Sequence, residues 1–180
     1  MSRIIRVLKI ISPKHTISVR RILLTLLIGA LAVSFSASAA SNDNGIIVPV
    51  ARDLQEDAQY NESRRLVLLL IIARTDCNYC ALLKRAIIRP MIASGAYQDK
   101  VIIRELLLDD TSSVIDFDGT LTTAATIAHR YKEQLTPTVL FLSPSGVELT
   151  PRIRGINTVD YYGYYLDEAI EKALLELNRS

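Results

Sequence analysis

The sequence predicts an α/β domain whose central mixed sheet of about four strands has helices on both faces. Three observations lead to this class. Apolar runs that suit buried strands alternate with segments of helical periodicity. The last two predicted strands are joined by a short turn and should pair back on each other, whereas the earlier ones are connected through helices. The chain is 49% hydrophobic and 22% charged, which suits a globular domain and excludes a disordered or collagen-like chain.

Residues 1–39 show the order of features of a secretory signal peptide. Six basic residues and no acid accompany a fourteen-residue apolar run, Ile22–Phe35, which is followed by the small residues Ala37–Ala39. A membrane-spanning helix needs about 20 apolar residues, so an uncleaved anchor helix is the alternative that we favour less. We expect cleavage before Ala40, export by the general secretory route rather than the twin-arginine route, and a periplasmic or secreted mature protein.

The formal net charge of +2 comes from this N-terminal segment. Beyond residue 39 the chain carries 15 basic and 19 acidic residues, and is therefore mildly acidic. Because nucleic acids are bound through clustered Lys and Arg side chains, we expect no nucleic-acid partner.

One folded domain is expected over residues 65–180, after a polar leader. The leader, residues 40–64, has a short stretch of helical spacing at Arg52–Glu62. Leu66–Ala73 contains eight consecutive apolar residues, which is typical of a strand buried on both faces of a sheet.

The rest of the domain alternates helices and strands, assigned from apolar spacing and from the turn residues between them. A helix over Cys80–Ile92 should be broken or restarted at Pro90, because proline lacks the backbone N–H. The elements expected after it are, in order, strand Val101–Leu108, a polar connection Asp109–Thr122, helix Thr123–Leu135, strand Thr138–Leu142, turn Pro144–Gly146, strand Val147–Ile153 and helix Val159–Leu177.

Cys77 and Cys80 are the two cysteines of the chain, spaced as C-x-x-C. A bridge between them closes so short a loop that it would constrain the unfolded chain little, which disfavours a purely structural disulfide. A closed zinc site needs more ligands, and His129 is the one histidine beyond residue 39. Two thiolates could hold Cu(I), so a copper-binding chaperone stays open as an alternative. Thiol–disulfide exchange is the interpretation that we favour.

The context of the pair assigns a role to each sulfur. It follows a buried strand and opens a helix, where unpaired backbone N–H groups and the positive dipole end stabilise a thiolate on Cys77. Cys77 should therefore be the nucleophile, and Cys80, one turn further in, the resolving cysteine. The carboxylate of Asp76 should raise the pKa of the neighbouring Cys77 thiol, and Asn78 and Tyr79 bring no cation to offset it.

A second motif lies far downstream. Thr136-Pro137-Thr138 leads a predicted strand, and Gly155 precedes the last helix. Together with Cys77-Asn78-Tyr79-Cys80 behind a buried strand, this order resembles the thioredoxin superfamily over residues 65–177. Within it, the chain looks most like secreted thioredoxins of the sulfur-oxidation-associated type.

The resemblance implies a thioredoxin-like fold and a thiol–disulfide oxidoreductase that acts as a reductase or electron carrier rather than an oxidase. It implies a cis bond before Pro137, which lies against the cysteines, and substrate-backbone pairing at Thr136. It implies no cofactor and no metal beyond the redox-active disulfide. The expected partners are disulfide-containing periplasmic proteins and a membrane thiol electron donor. Residues 40–64 are too few for the dimerisation domain of periplasmic isomerases, so we expect a monomer.

Two positions depart from the pattern of cytosolic thioredoxins. Asp76 stands where they have tryptophan before the first cysteine. Ile71 stands where they carry a buried acid that accepts the proton of the second thiol. The usual acceptor for the Cys80 proton is therefore missing from its expected place.

Residues 114–122 match the nucleophile motif of haloacid-dehalogenase-type phosphatases, in which Asp116 would attack phosphorus and Asp118 would be the acid/base. The preceding residues are polar rather than a buried strand, and no later acidic pair completes a metal site. We therefore predict an Asp-Gly hairpin turn here, with Thr122 as N-cap of the next helix.

Two further features receive structural interpretations. Four tyrosines of the last helix are expected to pack that helix and its rim, with a partner-docking patch as the alternative: Tyr161, Tyr162, Tyr164 and Tyr165. His129 is expected on a helix surface.

Overall fold

The structure, a computed structural model, describes residues 45–179. The predicted signal peptide and its cleavage site lie outside the described residues. In the described part of the chain, no helix has the length and apolar character needed to cross a membrane. The elements are helix α1 Leu54–Arg64, strand β1 Val67–Ala73, helix α2 Asn78–Leu83, a π-helical segment Lys84–Ile88, helix α3 Arg89–Ser94, strands β2 Val101–Leu107, β3 Ser113–Ile115 and β4 Leu121–Thr123, helix α4 Ala124–Arg130, strands β5 Thr138–Leu142 and β6 Glu148–Arg154, and helix α5 Val159–Leu177.

A four-stranded mixed sheet in the order β2-β1-β5-β6 forms the centre of the domain. Strand β1 pairs parallel with β2 and antiparallel with β5, and β6 pairs antiparallel with β5. Every residue of β1 is buried, because β1 has a strand on each side and helices on each face. The predicted fold class, an α/β domain with a mixed sheet of about four strands, is confirmed.

Two hydrophobic cores cover the two faces of the sheet, and alternate residues of β1 enter each. The first, here called the cysteine-side core, contains Leu69 and Ile71 together with Cys80 and with Ile170 of α5. The second core packs the even-numbered residues of β1 against α1 and α4. Helix α1, from the segment predicted as leader and short helix, thus packs against the sheet through Leu54.

The helix that opens at the cysteines is restarted at Pro90 rather than broken, since a new α-helical segment begins at Arg89. It passes from α2 into the π-helical segment and then into α3, and ends at Gly95 with a positive φ of 66°. The backbone N–H of Arg89 donates to the carbonyl of Lys84, five residues back. Proline lacks an N–H and crowds the carbonyl four residues before it, and the wider π turn immediately upstream accommodates both effects.

Helix α4 is shorter than the sequence pattern predicts, and its N-cap lies one residue after the predicted one. Thr123, not Thr122, is the N-cap, and its side chain accepts from the backbone N–H of Thr126; Thr122 belongs to β4. The helix ends at Arg130 rather than at Leu135, because Lys132 adopts a left-handed φ of 52°. Helix α1 likewise starts two residues late, capped by the Asp53 carboxylate on Glu56 N–H.

Three of the four helix α5 tyrosines are exposed, so the prediction that all four pack is wrong for them. Tyr162 is buried, while the exposed fractions of Tyr161, Tyr164 and Tyr165 are 63%, 66% and 54%. A helix buries residues three and four apart, and Tyr162 shares that face with Leu166 and Ile170. Consecutive tyrosines therefore cannot all reach the core.

Candidate active site

The two cysteines follow the central strand β1 and lie at the start of helix α2. They are joined by a disulfide, with 5.2 Å between their Cα atoms. Cys77 is the N-cap residue, and the backbone N–H of Cys80 donates to its Sγ at 3.1 Å. This donor is one of the first-turn N–H groups that have no partner within the helix. It is placed to stabilise negative charge on the Cys77 sulfur when the disulfide is reduced.

The two sulfurs differ in access to solvent. Cys77 is half-buried, whereas Cys80 is 1% exposed and packs in the cysteine-side core. Asp76, Asn78 and Tyr79 around Cys77 are exposed. An incoming disulfide could therefore reach Cys77, while Cys80 can be reached only from within the protein.

A carboxylate at the end of β2 holds the loop in front of Cys77. Asp109 accepts from the backbone N–H of Thr75 at 3.0 Å and also from the Thr75 hydroxyl. The hydrogen bond from the Thr75 side chain is the main reason why the pKa of Asp109 is lowered. Sequence reasoning missed this residue, because nothing local distinguishes it from other polar residues of the connection.

The Thr136-Pro137 segment lies at the same end of the sheet as the cysteines. Its peptide bond is cis. Strand β5 begins at Thr138, which pairs with Ile72 near the end of β1, so Pro137 runs beside the residues that lead to Cys77. The backbone N–H of Gly155 donates to the Pro137 carbonyl at 2.8 Å, which ties the segment to the end of β6. Pro137 is buried and Thr136 half-buried.

Comparison with protein families decides the classification. The family model of the thioredoxin-like domain matches residues 54–170. The chain belongs to this thioredoxin-like family. Because the cysteine pair of the thioredoxin-like protein has the C-x-x-C spacing and forms a disulfide, its chemistry is that of a thiol–disulfide oxidoreductase. A search of curated protein sequences found no match.

The chain is similar to several solved structures, one of them with a TM-score above 0.5. A DsbH oxidoreductase matches with a TM-score of 0.54 and 12% identity, over 72% of this chain and 89% of that one. The periplasmic thioredoxin SoxS of Paracoccus pantotrophus has 20% identity and a TM-score of 0.41, over 59% and 98% of the two chains. Thioredoxin O2 of Arabidopsis thaliana has 17% identity and a TM-score of 0.42, over 65% and 91%.

An ion pair with a buried carboxylate, which sequence reasoning missed, lies on the cysteine side of the thioredoxin-like sheet. Ile71 is buried, as its position in β1 requires, and its neighbour in register on β2 is Glu105. Glu105 is 4% exposed, and its Oε1 lies 2.7 Å from Nζ of Lys84. The signal in the sequence was a glutamate that follows Arg104 in the middle of a strand whose other residues are apolar.

The aspartates of the phosphatase-like motif hold a turn in the thioredoxin-like domain. Asp116 is buried, accepts from Nη1 of Arg130 at 2.9 Å and from the backbone N–H of Phe117 at 2.8 Å. Asp118 accepts from the backbone N–H of Thr120 at 3.0 Å. Gly119, with a φ of +83°, completes the predicted Asp-Gly turn between β3 and β4. The predicted hairpin turn is confirmed.

Replacing Asp116 with asparagine should lower the free energy of unfolding by about 1–2 kcal/mol at pH 7, because a charged hydrogen-bond acceptor is lost. We expect the lower part of the usual range, since Arg130 is half-exposed and water can solvate it. The hydrogen bond from Arg130 holds the pKa of Asp116 below its ordinary value. The stabilisation is therefore present above the unfolded pKa of about 3.9 and is lost as the pH falls through the folded pKa.

Urea unfolding at several pH values between neutral and acidic checks this expectation, with Asp118→Asn as the exposed control. The gap between the wild type and Asp116→Asn should narrow at acidic pH. A gap that stays constant with pH, or an equal loss in Asp118→Asn, would contradict it.

Within residues 45–179, no group of three or more His, Cys, Asp and Glu side chains is arranged to hold a metal ion. His129 is exposed on α4, as expected. The absence of any cofactor beyond the disulfide stays a prediction.

Proposed function

We propose that the protein is a periplasmic or secreted thiol–disulfide oxidoreductase that reduces or exchanges disulfides of partner proteins, as a reductase or electron carrier. The observation that carries the proposal is the asymmetry of the pair: Cys77 is half-buried at a helix start, and Cys80 is buried behind it. A first sulfur that solvent can partly reach and a second one that is shielded suit a two-step exchange.

In the first step of a reduction, the Cys77 thiolate attacks one sulfur of the substrate disulfide. A Cys77–substrate bond forms, the substrate S–S bond breaks, and one substrate thiolate leaves. In the second step the Cys80 thiolate attacks Sγ of Cys77, the mixed disulfide breaks, and the second substrate thiolate leaves. The protein ends with the Cys77–Cys80 disulfide and the substrate with two thiols. A thiol donor, which we place in the membrane, must then reduce the protein again.

The substrate is proposed to lie across the Thr136-Pro137 segment. Thr136 is half-buried just before the start of β5, beside the loop that leads to Cys77, so its backbone can pair with an extended peptide. Tyr79, which directly precedes Cys80, and Leu135, which directly precedes Thr136, are large hydrophobic residues exposed by 62% and 49%. Apolar side chains at this position favour folded or unfolded proteins over small charged disulfides as substrates.

Turnover of insulin disulfides with dithiothreitol as the electron source tests the proposal. A rate well above that of dithiothreitol alone supports it. The alternative is a copper chaperone that uses the same two sulfurs in their reduced form. The chaperone would be favoured if the reduced protein binds Cu(I) stoichiometrically, loses this binding in Cys77→Ser and shows no insulin turnover. That result would contradict the proposed oxidoreductase.

The proposed location depends on residues 1–39. Export and cleavage predict a periplasmic form whose mass corresponds to a start near Ala40. Intact-mass spectrometry of the protein isolated after expression of the full chain checks this. A mature mass that retains Ile22–Phe35 would mean a membrane-anchored protein instead.

Asp76 is proposed to keep the protein on the reducing side. The residue is exposed directly before Cys77. Asp76→Asn should shift the titration of the Cys77 thiolate to lower pH, by about 0.5 pH unit for a screened charge at this separation. A more stable thiolate favours the reduced form, so the reduction potential should rise. Thiolate absorbance in the reduced Cys80→Ser background measures the shift. An unchanged or higher midpoint would show that Asp76 plays no such role.

A further inference from the structure

The buried Glu105 and the half-buried Lys84 form an ion pair. Lys84 lies in the π-helical segment that continues helix α2, and these two segments together are here called the cysteine helix. Glu105 lies in the edge strand β2, where the backbone N–H of Glu105 donates to Pro49 and its carbonyl accepts from Ala51, each at 2.8 Å. The side chain is left to meet Lys84, whose Nζ lies 2.7 Å from Oε1. Burial of a carboxylate raises the free energy of the folded protein even when the carboxylate is paired, so we looked for a function of this pair.

The carboxylate lies on the same face of the sheet as Cys80. Side chains of a strand alternate between faces, and Val101 and Ile103 of β2 both pack in the cysteine-side core with Cys80. Glu105 is two residues beyond Ile103 and therefore shares that face. Its neighbour in register on β1, Ile71, also lies in this core.

Lys84 connects the carboxylate to the second cysteine. It lies four residues after Cys80, one helical turn along, and its backbone N–H donates to the Cys80 carbonyl. The other buried carboxylates among the described residues pair with arginines: Asp57 with Arg104, Asp116 with Arg130, and Glu133 with Arg152 and Arg154. Glu105 differs from them, since its partner is a lysine of the cysteine helix itself.

The second step of the exchange requires a group that accepts the proton of the Cys80 thiol. Only the thiolate of Cys80 can attack Cys77, so the Cys80 thiol must first lose its proton. Cys80 is 1% exposed, and water has little access to it. A group inside the protein that takes up the proton would make this step faster at neutral pH.

We propose that Glu105, positioned by Lys84, is the internal acceptor for the Cys80 proton, an assignment that rests on the proposed function. The Cys80 S–H bond breaks and the proton goes to the Glu105 carboxylate, which becomes a carboxylic acid. The Cys80 thiolate then attacks Sγ of Cys77, and the substrate thiolate leaves. When a thiol donor later reduces the Cys77–Cys80 disulfide, Glu105 returns the proton to Cys80.

Neither Lys84 nor the tyrosine buried in the cysteine-side core competes for this role. Lys84, from the π-helical segment, is the cation of the ion pair. Tyr162, from α5, is buried in the same core, and burial raises its pKa far above the ordinary value, so it stays protonated at neutral pH. The facing residue of β1, Ile71, is apolar.

The two steps can be timed separately with dithiobis-nitrobenzoate, an aromatic disulfide that releases a coloured thiolate. When the reduced protein attacks it, the first equivalent reports attack by Cys77 and the second reports attack by Cys80. In Glu105→Gln the first phase should keep the wild-type rate. The second phase should slow about 100-fold at pH 7, the lower end of what a positioned base supplies. It should then rise about tenfold per pH unit, because hydroxide must replace the missing base.

Two further variants separate a proton acceptor from a merely structural ion pair. Asp57→Asn removes a buried acid that pairs with Arg104, the neighbour of Glu105 in β2 that faces the opposite core. It should leave both phases unchanged. The double variant Lys84→Gln/Glu105→Gln keeps a neutral pair of similar shape, and its second phase should stay as slow as that of Glu105→Gln.

An unchanged second phase in Glu105→Gln, or recovery of the wild-type rate in the double variant, would overturn the assignment alone. Wild-type protein that releases no second equivalent would overturn the proposed function and the assignment together. The first result leaves insulin turnover intact, so the two failures are distinguishable.

Discussion

Serine in place of Cys77 should abolish disulfide turnover, with a loss of at least about a thousandfold, whereas serine in place of Cys80 should leave the first step intact. A serine hydroxyl does not ionise at neutral pH and cannot open a disulfide. Cys77 is half-buried and accepts a hydrogen bond from the backbone N–H of Cys80, whereas Cys80 is enclosed in the core. Cys80→Ser should therefore accumulate mixed disulfides with partner proteins.

Alkylation followed by non-reducing electrophoresis of extracts from cells that express each variant makes these species visible. Asn78→Ser, between the two cysteines, is the matched control and should turn over close to the wild-type rate. Mixed disulfides that accumulate in Cys77→Ser and not in Cys80→Ser would reverse the assigned roles. Equal trapping in both variants would show that burial of Cys80 does not protect it.

The two central strands of the sheet, β1 and β5, could be predicted closely because each is an almost continuous apolar run. Strand β5 begins and ends as predicted, at Thr138 and Leu142. Strand β1 differs from its prediction by one residue at the start, Leu66. A strand buried on both faces contains few polar residues, so its first and last residues can be recognised from the sequence alone.

The helix ends were harder to predict because they depend on distant contacts. Helix α4 stops at Arg130, although the apolar spacing continues. Beyond it, the buried carboxylate of Glu133 accepts from the backbone N–H groups of the next two residues, and it pairs with Arg152 and Arg154 of β6. Those arginines lie about twenty residues further along, so a local pattern could not reveal that they fix this turn.

The candidate site divides in the same way. The C-x-x-C spacing and the Thr-Pro-Thr motif are local, and both were found from the sequence. The Glu105–Lys84 pair joins a strand to a helix across 21 positions, and only the parallel register of β1 and β2 brings Glu105 beside Ile71. The apolar Ile71 of β1 therefore gave no indication that the adjacent strand β2 places the carboxylate of Glu105 beside it.

Replacing Phe141 with alanine should cause the largest loss of stability of the variants considered, about 3–5 kcal/mol in the free energy of unfolding. Phe141 is fully buried in β5, pairs in register with Leu69 of β1, and packs in the cysteine-side core. Truncation removes the transfer energy of the ring and leaves a cavity between strands that cannot easily close. Phe117, a half-buried ring, provides the matched control, and Phe117→Ala should cost clearly less. Urea unfolding of the oxidised proteins measures both. A loss below about 1 kcal/mol at Phe141, or a larger one at Phe117, would contradict a core centred beneath the cysteine helix.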